Sequence, residues 1–124
     1  MRQGQLDHLD LEHLAEEIET LGRSERRELG NRLKILLRHL LEWRHQPERR
    51  GKSWRITIRN QRVDIDKLLR DNPSLRAQRN ELFAEAYADA CLKAETETGL
   101  ERSLFPRSCV FTLDQTLDRD YLPD

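Results

Sequence analysis

Residues 40–62 read LLEWRHQPERRGKSWRITIRNQR. They hold both tryptophans, Trp43 and Trp54, the first proline of the chain and its densest block of positive charge. Pro47 disfavours helical geometry at Gln46, so a helix arriving from the N-terminal side stops there. Gly51 is free to take positive φ, and Ser53 suits the cap of a new helix. The stretch reads as the end of one helix, a short charged connector and the start of another.

Upstream, Leu29, Leu33, Leu36, Leu40 and Trp43 recur in steps of four and three, which places them on one helical face. Ile35, Leu37 and Leu41 add a second apolar line. A helix apolar on more than one side is central in its bundle or part of an oligomer face. Burial of each leucine contributes roughly 1.5–3 kcal/mol, so this helix should dominate stability. Further back, Leu11, Leu14, Ile18 and Leu21 form another stripe, with Asp10 as its cap. The line joining the two stripes passes through Glu25, and Gly22 followed by Ser24 offers a C-cap and then a new N-cap. The spacing predicts two helices, about 9–22 and 24–46, with collinear continuation as the alternative.

Downstream, a helix is predicted over about 54–71. Trp54, Ile58, Ile65 and Leu69 cluster within about 60° of one another. Arg55, Arg59 and Arg62 form a neighbouring stripe, and Ile56 and Val63 a second apolar line roughly opposite the first. One apolar surface meets the core; the other is available to a partner. Asp71-Asn72-Pro73-Ser74 is a turn, with Pro73 suited to the first position of the next helix. Paired apolar residues from Leu82 to Ala94 repeat every four positions and give a helix over about 78–97, closed by Gly99. Thr112 caps a short helix over about 113–118, and Tyr121 and Leu122 pin the end to the bundle. The fold class is therefore all-α: four main helices and a short C-terminal one, in a single domain spanning residues 1–124.

Composition agrees. A chain of 124 residues supports one core rather than two. With only five glycines and four prolines, long helices joined by short turns are the economical reading. The net charge of −1 excludes whole-molecule attraction to nucleic acid or anionic membrane, so any such binding has to be local. Residues 44–62 supply that locality: seven cations against Glu48 alone leave a charge of +6. No apolar run approaches the ~20 residues that span a bilayer, and the N-terminus has no apolar signal region. A cytoplasmic protein is expected, with Cys91 and Cys109 as reduced thiols.

The chain resembles a known bacterial family at three points. These are the run from Leu9 to Arg62, LDLEHLAEEIETLGRSERRELGNRLKILLRHLLEWRHQPERRGKSWRITIRNQR; then DNPSL and EAYADAC; and finally ETGL with FPRSC and TLDQTLDRDYLP. Together they are similar to the family catalogued as domain of unknown function number twenty-nine. The resemblance implies an all-helical cytoplasmic protein and supplies no catalytic residues to carry over. One departure stands beside it: family members usually begin with an additional aromatic-rich helix, absent here before Met1.

Several chemistries are open to these residues. Arg32/His39 and Arg38/His45 each match the R-x₆-H spacing of the helical HEPN ribonucleases, a pairing that positions a phosphate and moves a proton. With 18 arginines in the chain, such a spacing arises readily by chance. His8, His13, Glu16 and Glu17 offer metal-ligand chemistry without a recognised pattern, and solvated surface residues are the simpler expectation. No G-x-S-x-G, G-x-x-x-x-G-K-[ST] or G-x-G-x-x-G occurs, so no catalytic residue, metal or cofactor is assigned.

The better candidate site is cationic: Arg49, Arg50, Lys52, Arg55, Arg59 and Arg62, with Trp54 beside them. Arginines meet phosphates through forked hydrogen bonds, and a local cluster binds nucleic-acid backbone without a basic pI. The bland expectation, and the one adopted, is that Glu and Asp of neighbouring helices pair with this stripe. The two tryptophans are expected as core. The functional expectation is a protein–protein interaction module that self-associates, as a dimer, through the spare apolar lines. Nucleic-acid binding by the stripe is the alternative.

Overall fold

The computed structural model describes the backbone of residues 8–106, 109 and 111–123, and side chains from Arg23 onward within them. The described residues form helices and connecting turns, without strands. Helix α1 runs from His8 to His45, α2 from Lys52 to Asp71, α3 from Arg79 to Thr98 and α4 from Leu113 to Leu117. Short 3₁₀ turns at Pro47–Arg49, Pro73–Gln78 and Arg102–Leu104 fill the connections.

The first two predicted helices are one. The backbone is helical through Gly22, and Asp10 lies inside α1 rather than at its cap. A glycine in a helix interior costs about 1 kcal/mol against alanine, and no proline adds to it before Pro47. A cap-like Gly-x-Ser is too weak to break a helix this long. The stripe of Leu11, Leu14, Ile18 and Leu21 lies on side chains outside the described residues.

The other boundaries follow the sequence closely. Pro47 stops α1 two residues earlier, at His45, and opens the 3₁₀ turn as its first residue. Gly99 closes α3 in the left-handed region, with φ 73°, its amide on the Glu95 carbonyl at 2.9 Å. Thr112 caps α4 with a reciprocal box: its hydroxyl accepts from the Gln115 amide at 3.0 Å, and the Gln115 side chain accepts from the Thr112 amide at 3.0 Å. At the start of α2 the cap is Gly51 instead of Ser53, whose carbonyl accepts from the Thr57 hydroxyl inside the helix.

Helix α1 is the hub; α2 runs antiparallel to it and α3 parallel to it. On one flank the Arg32 guanidinium reaches Asp64 at 3.1 Å and Gln61 at 3.2 Å on α2. On the other, Gly30 sits under Leu82 of α3, and Arg26 reaches Gln78 and Glu81 near the start of α3. Leu29, Leu33, Leu36 and Leu40 are fully buried, as are Leu37 and Leu41 of the second line. Leu37 and Leu41 are thus spent inside the protomer, while Ile35 of the same line is half-buried. Phe105 and Phe111 carry the C-terminal segment onto the same core, and the Tyr87 hydroxyl donates to the Pro106 carbonyl at 2.7 Å. No helix among the described residues is long and apolar enough to cross a membrane.

Candidate functional site

The connector between α1 and α2 brings most of the predicted cations to one end of the bundle. Arg49 is exposed on the 3₁₀ turn, and Lys52, Arg55 and Arg59 are exposed on the first half of α2. Arg50 is half-buried: its Nε donates to the Trp43 carbonyl at 2.7 Å, supplying a partner to the last turn of α1. Positive charge at a helix C-terminus also suits the dipole there.

Trp43 organises this end. Its ring is 4% exposed and belongs to the core, while Trp54 is half-buried against it. The guanidinium carbons of Arg50 and Arg55 stand 5.3 and 5.4 Å from the Trp43 ring centroid, within the ~6 Å over which a cation is held by an indole face. Trp43, Arg50, Gly51, Lys52 and Arg55 line a shallow cavity of about 230 Å³. The first turn of α2 carries no acid, and no side chain caps it. Its leading amides therefore add donor capacity to the same surface.

Arg62 parts company with the others. It is 2% exposed, and its Nε donates to the Thr116 carbonyl at 2.8 Å, with Nη2 reaching the Gln115 carbonyl at 3.4 Å. It clamps the end of α4 and is unavailable to a ligand. Burial pulls its pKa down, and Asp118, Tyr121 and Asp120 act against that shift. The sequence held the signal: Arg62 lies about 20° from Leu69 and about 40° from Ile58 on the helix, inside the buried face.

Among the described residues, no carboxylate pairs with Arg49, Lys52, Arg55 or Arg59. Among the described residues the ion pairs join Arg26 to Glu81, Arg32 to Glu28 and Asp64, Arg38 to Glu42, and both Arg70 and Arg119 to Asp66. None involves Arg49, Lys52, Arg55 or Arg59. Backbone carbonyls and an indole ring satisfy Arg50 and Arg62, because those acceptors lie where the two guanidinium groups are held. Arg55 stands over the Trp43 ring, and Arg49, Lys52 and Arg59 face solvent.

The R-x₆-H pairs are dispersed. Arg32 is engaged by Glu28, Gln61 and Asp64. His39 is buried, with Nδ1 on the Ile35 carbonyl at 2.8 Å, and burial holds its pKa below the usual histidine range. His45 packs its ring edge-on against Phe105, centroids 4.9 Å apart, and burial lowers its pKa as well. Arg38 pairs with Glu42 at 3.6 Å, and burial raises the pKa of that 6% exposed carboxylate. This polar strip on α1 escaped the sequence reading, although a helix apolar on two sides must bury what lies between.

Cys91 is buried and Cys109 half-buried, both free. Burial raises both thiols, Cys109 to about 11, which leaves neither as a ready nucleophile. Among the described residues no three metal-ligating side chains converge. The side chains of His8, His13, Glu16 and Glu17 lie outside the described residues.

Fold and surface together define a small all-helical protein with a cationic end built on a buried tryptophan. The chain belongs to the family described as Domain of unknown function DUF29, whose model matches residues 1–122. No curated protein and no solved structure matches it.

Proposed function

We propose that this protein is a binding module whose α1–α2 end grips a polyanion, the phosphate backbone of a nucleic acid. The observation that carries this reading is the exposure of Arg49, Lys52, Arg55 and Arg59 with no carboxylate paired to them among the described residues. Neutralised guanidinium groups have nothing to gain from a phosphate; unpaired ones do. The acid-free, uncapped start of α2 strengthens the same surface. With Trp43 buried, the contact is to backbone rather than to stacked bases, and recognition is independent of sequence.

The reading is tested by binding of a labelled short duplex across a salt series. Four engaged cations give a slope of about −3 to −4 in log affinity against log salt. Arg55→Glu with Arg59→Glu should abolish binding while leaving the fold intact. A flat salt response, or an unaffected double variant, removes the proposal.

A second reading is favoured by a separate observation. Ile56, Val63 and Leu92 are exposed at 36%, 38% and 57%, which suits a protein–protein contact. Burial of Leu37 and Leu41 removes those two leucines from such a contact, and the exposed apolar side chains that remain here stand on α2 and α3.

A further inference from the structure

We infer that two copies of this chain pair by exchanging arms, the N-terminal part of α1 on each copy lying along the outer face of α2 on the other. This names the partner for the protein-contact reading above, on which it rests.

The α2 face comes first. Ile56 and Val63 are exposed, and each lies two residues, about 200° round the helix, from a buried isoleucine, Ile58 or Ile65. They therefore stand on the side of α2 turned away from α1. The exposed charges of α2 are Lys52, Arg55, Arg59, Lys67 and Arg70 against Asp66 and Asp71, a net +3. An apolar line bordered by cations suits an amphipathic helix that carries acids.

The chain holds such a helix. Asn72, Leu75 and Gln78, in the turn between α2 and α3, share a cavity with Arg23 and Arg26 of α1, and the Arg26 guanidinium donates to Gln78. That turn is thus level with residues 23–26. The backbone of residues 8–22, about 22 Å of continuous helix, runs on past it. The sequence there carries Asp10, Glu12, Glu16, Glu17 and Glu19 with no lysine or arginine, a net −5. Helical spacing sets Leu11, Leu14, Ile18 and Leu21 on one face. Leu11 and Ile18 are seven residues apart, as are Ile56 and Val63, so a parallel alignment matches both pairs.

The occupant is a second copy rather than the chain's own arm. Helix α1 is unbroken through Gly22, so its arm points away from the α2 packed further along it. Arm against arm would oppose −5 to −5, and α2 against α2 would oppose +3 to +3, both unfavourable. Arm on α2 is complementary. Because α2 runs antiparallel to α1, two copies laid antiparallel set each arm parallel to the α2 it meets. An arm of about 22 Å fits within the roughly 30 Å of α2. The two contacts form together, and the pair closes as a symmetric dimer. The contact takes up Lys52 and Arg59, so a duplex competes with the arm for them.

The test uses the full chain and two charge-reversed variants. Asp10→Lys with Glu17→Lys and Glu19→Lys, the acids that spacing sets nearest the apolar stripe, turns the arm to +1. Lys52→Glu with Arg59→Glu and Lys67→Glu turns α2 to −3. Light scattering at low salt should give the wild type twice the mass of one chain. Each variant alone should be monomeric, with its helical content by circular dichroism kept. An equimolar mixture should recover the doubled mass, because the basic arm then meets the acidic α2 and the acidic arm the basic one. A monomeric wild type, a variant of either kind that dimerises alone, or a mixture that stays monomeric would each overturn the inference. A dimeric arm variant beside a monomeric α2 variant would do so while leaving the protein-contact reading in place, since α2 would then have another occupant. The arm variant keeps every cation of α2, so its duplex binding reports on the polyanion reading separately.

Discussion

Arg62 and Thr116 stand 54 residues apart in sequence and are joined by a 2.8 Å hydrogen bond from Nε to carbonyl. The guanidinium is buried against the last turn of α4, where it adds donors to the Thr116 and Gln115 carbonyls. Hydrogen bonds to a charged group contribute about 1.5–3 kcal/mol. Arg62→Met should therefore lower stability by about 2–3 kcal/mol and release the C-terminal segment to proteases. Arg62→Lys should recover only part of this, since an ammonium cannot reproduce the fork. Urea midpoints and the order of tryptic cleavage check both outcomes.

Acid should destabilise the protein from near neutrality. His39 and His45 are both held below 6.5, in each case chiefly by burial. The unfolded chain takes up those protons first, so their contribution is present above pH 6.5 and is lost as pH falls towards the folded values. Around His39, Arg38 pushes the same way, while the Ile35 carbonyl and Glu97 oppose. Glu42 has the opposite sign: burial raises it, so its protonation at lower pH relieves a cost and softens the decline. Urea midpoints measured on either side of pH 6.5 should fall with acidification, and His39→Gln should flatten that limb.

Two glycine substitutions should move stability in opposite directions. At Gly30 an added Cβ would meet the nearest Leu82 carbon at 4.0 Å, an ordinary contact. Gly30→Ala should stabilise by about 0.5–1 kcal/mol. Gly99 has φ 73°, and although its surroundings are open, alanine there costs roughly 1–2 kcal/mol. Thermal melts of the two variants should bracket the wild type.

Trp43→Ala should cost about 3–5 kcal/mol, because it empties a core position. It should also loosen Arg50 and Arg55, which stand over the ring. Trp43→Phe keeps an aromatic face and should cost less. Chemical denaturation of both variants gives the comparison.

Local chemistry made most helix ends readable. Proline at 47, glycine at 99 and the Thr112–Gln115 box act within a turn or two, and each terminates or starts its helix close to the expected place. Gly22 was not readable in that way, because its modest cost is outweighed by the continuous helix on either side. The binding surface was half readable. Spacing grouped seven residues, but spacing alone does not show what α4 will contribute, and α4 takes Arg62 out of the group. That no carboxylate is paired with the rest among the described residues depends on how α2 and α3 are seated around α1, a tertiary matter no local pattern records.

The hub position of α1 has a further effect. With α2 and α3 each seated mainly on α1 rather than on one another, either can detach while the other stays in place. Amide protons between Leu36 and Leu41, beneath both layers, should be the last to exchange with deuterated solvent. Those of α2 and α3 should instead exchange through two separate partial openings.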